Sequence, residues 1–202
     1  SQGWWPTAIC GGAGAAAAAA RAMELDGRST RDAIALAIVQ AGGLGTGGAE
    51  APEARNLLCA NTVRTGFEAA EAAAAGVRGP SEPLTGERGF LYAFGVDPNP
   101  ALLLEKLGKR WSIDETSLKA FPCALQAQSA LSALGSILRS QELMVEKIEA
   151  IEMALPDAMR RIVDQPIPPQ SRFAAAASLQ FLTAALVHDG DVIPGRLDSE
   201  AR

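Results

Sequence analysis

With 202 residues and an apolar fraction of 48% dominated by alanine, the chain can bury one good core, or one domain plus part of a second. A formal charge of −5 argues against a nucleic-acid partner, which needs a basic patch, and no polybasic amphipathic stretch marks a membrane surface. Three widely spaced cysteines, Cys10, Cys59 and Cys123, form no CxxC pair and read as reduced thiols of a cytoplasmic protein. A single histidine argues against a zinc site of the usual kind.

Alanine-rich, aromatic-poor composition favours closely packed helices over a sheet-dominated core. The first helix is expected from Thr7 or Pro6 to about Leu25, with Gly27 in the terminating C′ place. Its apolar run, Ala8 to Ala20, is too short and too rich in Ala and Gly to span a bilayer. The sequence opens without a basic n-region, so no signal peptide is expected. Ser29 or Thr30 caps a second helix that carries Ile34, Ile38 and Ala41 on one face. Gly42-Gly43-Leu44-Gly45 and Gly47-Gly48 predict a flexible loop; it lacks the GxxxxGK[ST] form of a phosphate loop and follows no strand. A third helix over 54–75 carries Leu57, Leu58, Val63 and Phe67 and ends at Gly76.

Residues 77–89 read as loop, and short helices follow at 90–94 and 100–107, each closed by a glycine, Gly95 and Gly108. The texture then changes. A strand is expected at 109–113, a helix from Pro122 to about Arg139, and a second strand over 145–154, where Val145, Lys147, Ile148, Glu149, Ile151, Glu152 and Met153 alternate imperfectly. A helix at 157–163, a break at Pro166-Ile167-Pro168-Pro169 and a long helix over 172–188 stopped by Gly190 complete the series. Asp198-Ser199-Glu200 looks like the start of one more helix.

Four motifs, in order along the chain, resemble the MmgE/PrpD family, which includes 2-methylcitrate dehydratase and cis-aconitate decarboxylase. Gly3-Trp4-Trp5-Pro6-Thr7 with its alanine run resembles the family's Gly-Phe-His-Pro-Thr helix. Leu57-Leu58-Cys59-Ala60-Asn61 is similar to Leu-His-Ala-Gly, and Ser117-Leu118-Lys119-Ala120-Phe121-Pro122-Cys123 to Ser-Phe-Lys-Pro-Tyr-Pro-Cys. Ser178-Leu179-Gln180-Phe181 leading to Asp189-Gly190 is similar to Ser-Leu-Pro-Tyr or Ser-Phe-Gln-Tyr before Leu-Asp-Gly.

The resemblance implies a mainly α fold with a smaller α/β part. Residues 1–107 would belong to the helical domain, 108–170 to part of the lid domain, and 171–202 to a helix returning to the helical domain. Typical members are about twice as long, so a fragment, a short relative and one piece of a split protein all fit. A homodimer or a complementary subunit is therefore expected.

The family's lyases remove water or carbon dioxide from small polycarboxylic acids without metal or organic cofactor. Such chemistry needs cations to hold carboxylates and a group that moves a proton at carbon near neutral pH. Arg55 and Lys119 fall where the resemblance places cations, so a small anionic polycarboxylate is the expected ligand. On the proton-transfer side, Trp5 and Leu58 stand where the family carries histidines, and Ala124, Gln126 and Gln128 stand at three further histidine places. Phe181 replaces a tyrosine. Trp5, Gln126, Gln128 and Phe181 are accordingly read as walls and neutral donors of an altered pocket. His188, at the end of the last helix, reads as a partner for the terminal carbonyls.

Three functions remain open from this sequence. The chain is a cofactor-independent lyase of the family's type, a non-catalytic or partner-dependent subunit that binds a carboxylate, or a repurposed isomerase or cyclase with an apolar pocket.

Overall fold

The computed structural model describes residues 3–46, 52–95, 97–141, 143–165 and 167–198. They divide into two compact units, Ser1–Arg110 and Trp111–Arg202. Both are built from helices, in keeping with a mainly α fold. No helix among the described residues is long and apolar enough to cross a membrane.

The first unit holds α1 (Pro6–Ala22), α2 (Gly27–Ile38), α3 (Pro52–Ala74) and the short α4 (Phe90–Phe94). Pro6 occupies the first helical position of α1, where its missing N–H costs nothing and its fixed φ is already helical. Ala8, Gly12, Ala16 and Ala20 recur every four residues and so share one buried face. That face meets α3 so closely that a Cβ added at Gly66 would lie 2.6 Å from the Gly12 carbonyl oxygen and 2.7 Å from the Ala16 nitrogen. Thr62 lies against Ala8 and Gly11, and Gly66 against Gly12 and Ala16, so α1 and α3 run parallel. The core of this unit is Ala16, Ala20, Ala33, Ala37, Ala69, Ala70 and Ala73.

Between α1 and α2 the expected signals shift. Glu24, not Gly27, takes the left-handed conformation after α1, with φ 55°. Asp26, not Ser29 or Thr30, caps α2: its carboxylate accepts the Ser29 N–H at 2.7 Å, and Gly27 becomes the first helical residue. The cap oxygen must reach the N–H three residues on, which Asp26 can do for a helix starting at Gly27. Asp32 is buried beside Arg31, and the Arg31 guanidinium, with the Gly79 N–H, holds its carboxyl below the usual range.

The second unit holds α5 (Gln128–Gln141), α6 (Asp157–Val163), α7 (Arg172–Ala177) and α8 (Leu179–Asp189). Its core is larger-residued: Leu131, Leu134, Val163, Leu182 and Leu186 pack with Ala127, Ala175 and Val192. Within this unit Leu179, Leu182 and Leu186 share a core with Leu131 of α5. The single helix expected over 172–188 is two. Ser178 leaves the helical region at φ −91° and ψ 106°, and its hydroxyl accepts the Phe181 N–H at 3.3 Å to restart α8. Gly190 closes α8 in the left-handed conformation, φ 76°, as expected.

Two further expectations are corrected. Neither 109–113 nor 145–154 forms a strand: 3₁₀ turns occupy Ser112–Glu115 and Val145–Lys147. The one β pairing among the described residues is the isolated antiparallel bridge between Trp4 and Leu44. Alternation marks a segment suited to a ladder, but a ladder needs a neighbouring strand, and none stands beside these segments among the described residues. The helix expected from Pro122 starts at Gln128, after a 3₁₀ turn at Leu125–Ala127. Gly47, Gly48 and the helix start at Ser199 lie outside the described residues.

Candidate functional site

The entry to α1 is pinned from three sides. The Trp5 N–H donates to the Gly43 carbonyl at 3.1 Å, and the Gly45 N–H donates to that of Gly3 at 2.7 Å. Trp4 meets Phe94 edge to face, with centroids 5.0 Å apart. Gly43 must be glycine: its φ is 141°, and a Cβ there would run into the Ala8 methyl. This clasp fixes the Trp5 backbone, and the Arg55 guanidinium sits over the Trp5 ring, 5.2 Å from its centroid. A cation over an indole face is held by the ring's quadrupole.

Trp5 precedes α1 and Arg55 lies in the first turn of α3, so the pair stands at the N-terminal end that these parallel helices share. Helix N-termini carry partial positive charge, which disfavours a cation and favours an anion. Trp5 as N-cap supplies no side-chain acceptor to α1, and no acidic residue stands in that helix's first turn.

A cleft of about 180 Å³ opens just beyond. Ala8, Ile9 and Gly12 of α1, Leu58 of α3, and Ala37 and Ala41 form its apolar walls; Gln40, Asn61, Thr62 and Thr65 bring the polar atoms. None of these lining side chains is ionisable. Thr62 is committed, its hydroxyl lying 2.8 Å from the Leu58 carbonyl and 3.3 Å from that of Ala8. Gln40 donates to the Leu36 carbonyl at 2.9 Å. Asn61 and Thr65 were missed as site residues in the sequence. Their signal was the 58, 61, 62, 65 spacing, which places all four on one helical face.

Of the remaining candidates, Lys119, Gln126, Gln128 and Phe181 belong to the second unit. Gln128 does a structural job: its carboxamide accepts the Phe121 N–H at 3.1 Å and donates to the Phe121 carbonyl at 2.8 Å, pairing with that residue as a peptide group would. It also lies 3.1 Å from the Cys123 sulfur. Lys119 donates to the Cys123 carbonyl at 3.0 Å, closing the same turn. Burial raises the Cys123 thiol above its ordinary pKa despite Lys119 and Gln128, so the thiolate is disfavoured near neutral pH. Gln126 is half-buried, and Phe181 packs its ring partly against the leucine core.

His188 does not reach for the carbonyls of α8. Its Nδ1 lies 2.7 Å from an Asp189 oxygen, and Arg196 grips the same carboxylate through Nε at 2.6 Å and Nη2 at 2.7 Å. Arg196 first, and His188 after it, lower the Asp189 carboxyl to about 2. This cluster ties the end of α8 to the turn at Pro194–Leu197.

Comparison with known proteins agrees with the division of the molecule. The MmgE/PrpD N-terminal domain matches residues 1–103 and the MmgE/PrpD C-terminal domain matches residues 121–201, on either side of the boundary between the two units. Cis-aconitate decarboxylase of Homo sapiens is 28% identical over 194 residues, covering 93% of this chain and 39% of that protein. The Mus musculus cis-aconitate decarboxylase is 28% identical over 195 residues, with the same shares. The chain thus spans about two-fifths of the length of the curated relatives it matches. Matched through both domains, it belongs to the MmgE/PrpD family.

Proposed function

We propose that this chain holds a small carboxylate ligand at Arg55 and derives from the family's dehydratases and decarboxylases with a changed proton-transfer apparatus. The observation that carries this reading is the Arg55 guanidinium over Trp5, at the shared N-terminal end of two parallel helices. The partial positive charge of two helix N-termini favours a carboxylate there, and a guanidinium beside it binds carboxylates by charge-assisted hydrogen bonds. The indole face orients the guanidinium, a planar group whose shape matches a carboxylate.

Proton transfer is the weaker half. Trp5 and Leu58, where the resemblance expects histidines, offer no group that titrates near neutral pH. A second reading is a subunit that works against another polypeptide, or a second copy of itself, in the cytoplasm. It draws on Leu57, Val63 and Phe67 of α3, exposed by 61%, 60% and 49%.

The test is a thermal-shift titration of wild type and Arg55→Gln with citrate, cis-aconitate and short monocarboxylates, alongside a product assay. At least one carboxylate should raise the melting temperature by mass action, and Arg55→Gln should remove about 1.5–3 kcal/mol of that binding. Turnover of cis-aconitate should be very low, since each lost acid–base group forfeits about 10²–10⁴-fold. A carboxylate panel that leaves the melting temperature unmoved would overturn the anion site; brisk turnover would overturn the account of the lost histidines.

A further inference from the structure

The cleft between α1, α3 and the end of α2 has polar groups to spare and no charge. Asn61 and Thr65 stand one turn apart on α3 and bring a carboxamide and a hydroxyl to it. Neither side chain has a hydrogen-bond partner among the described residues. Gln40, just past α2, donates to the Leu36 carbonyl and keeps its own side-chain oxygen as an acceptor. Among the described residues no ionisable side chain lines the cleft.

The backbone adds a field across it. Ala8 and Ile9 lie in the first turn of α1, the positive end of that helix, while Gln40 and Ala41 follow the last turn of α2, the negative end. The Ala8 and Ile9 N–H groups are already bonded to the Trp5 carbonyl, at 3.0 and 3.1 Å, so they are not held out to an anion. A carboxylate here would lose its water with no lining cation to meet it, and an ammonium would find no carboxylate. A neutral group with a large dipole suits both ends at once, and an amide carries about 3.5 D.

We infer that the cleft is a binding site for a small uncharged primary amide. Its carboxamide pairs with that of Asn61, each donating to the other, much as the Gln128 side chain pairs with the Phe121 peptide in the second unit. Thr65 takes the remaining hydrogen bond, and the carbon chain lies against Ala8, Gly12 and Leu58. Water beside those apolar walls makes few hydrogen bonds, so an apolar chain that displaces it gains free energy. The cleft's 180 Å³ is the room of about six waters, which suits an amide of roughly four or five carbons. With no lining group that titrates near neutral pH, the site holds its amide without turning it over. Neither Arg55 nor Trp5 lines the cleft, so the inference stands apart from the Arg55 reading.

Amide cross-peaks of Gln40, Asn61 and Thr65, followed by NMR during titration with pentanamide, pentanoate, pentylammonium and pentanol, test this. Wild type, Arg55→Gln, Asn61→Leu and Ala41→Leu are compared, the last filling the cleft from the end of α2. Pentanamide should bind about tenfold tighter than the other three, on wild type and on Arg55→Gln alike, the two proteins agreeing within about twofold. Asn61→Leu, which keeps a good helix former on α3, should weaken pentanamide about tenfold. Ala41→Leu should abolish its binding; should that variant fail to fold, the ranking of ligands on wild type and the Asn61→Leu result decide. Pentanoate or pentylammonium moving these peaks as tightly as pentanamide overturns the uncharged site, and pentanol doing so overturns the amide. An Asn61→Leu protein with unchanged affinity, or cross-peaks that no ligand moves, overturns the inference while leaving the carboxylate titration of Arg55 to its own outcome. A tenfold loss of pentanamide in Arg55→Gln overturns the separation of the two sites.

Discussion

The two units bury themselves with different material. In the first, the main cluster between α1, α2 and α3 is alanine, and glycines bring backbone onto backbone. In the second, Leu131, Leu182, Leu186 and Val163 fill the space between helices with side chain. Where backbones touch there is almost nothing to remove, so stability is sensitive to atoms added. Where leucines fill the gap, it is sensitive to atoms taken away. The largest effect should therefore come from truncation in the second unit. Leu182 is 0% exposed, and Leu182→Ala should cost about 2–5 kcal/mol, combining lost transfer free energy with an unfilled cavity. Urea denaturation followed by circular dichroism measures it; a loss under 1 kcal/mol would mean that this core collapses freely and the comparison fails on its second side.

Addition is the corresponding test of the first unit. At Gly66 the nearest obstacles to a Cβ are the Gly12 carbonyl oxygen, the Ala16 nitrogen and the Ala15 methyl at 2.5 Å. Two of the three are backbone, so no rotamer change relieves the clash, and α1 and α3 must separate. Gly66→Ala should cost about 1–3 kcal/mol, in line with other overpacked cores. Separation would also loosen the Thr62 bridge to Ala8 and widen the cleft. A Gly66→Ala protein as stable as wild type would show that the close approach of α1 and α3 is not what holds the unit.

This contrast explains which parts of the molecule were legible in the sequence. Four-residue spacing of small residues in α1 is a local signal, and so are a terminating glycine such as Gly190 and a proline at a helix start. Trp5 and Arg55, singled out separately, are brought together by the structure because each leads one of two helices that pack in parallel. Other features depended on partners distant in sequence or on a choice between near-equal donors. Asp26 and Ser29 both carry cap oxygens, and only the start of α2 decides between them. Gln128 pairs with Phe121 through its side chain, a contact that no periodicity announces. The alternation over 145–154 states a preference whose fulfilment lies in another strand. The polar lining of the cleft became visible only once the rotation of α3 against α1 was known.

The smallest predicted effect separates two explanations of the glycines in α1. Gly11, Gly12 and Gly14 stand within four residues, and all could have been kept small for packing. Their surroundings differ. A Cβ at Gly11 would meet the Thr62 methyl at 2.7 Å, and Gly12 is buried against α3 and Ala37, whereas a Cβ at Gly14 meets nothing within 4 Å. Gly14 is exposed and lies inside the helix, where glycine gives up more backbone freedom on folding than alanine does. Gly14→Ala should thus stabilise the chain by about 0.5–1 kcal/mol, opposite in sign to Gly66→Ala on the facing helix. Matched urea curves for the two variants measure that difference in sign. If Gly14→Ala destabilises instead, something covers this face of α1, and the exposed side of the alanine helix is itself a packing surface.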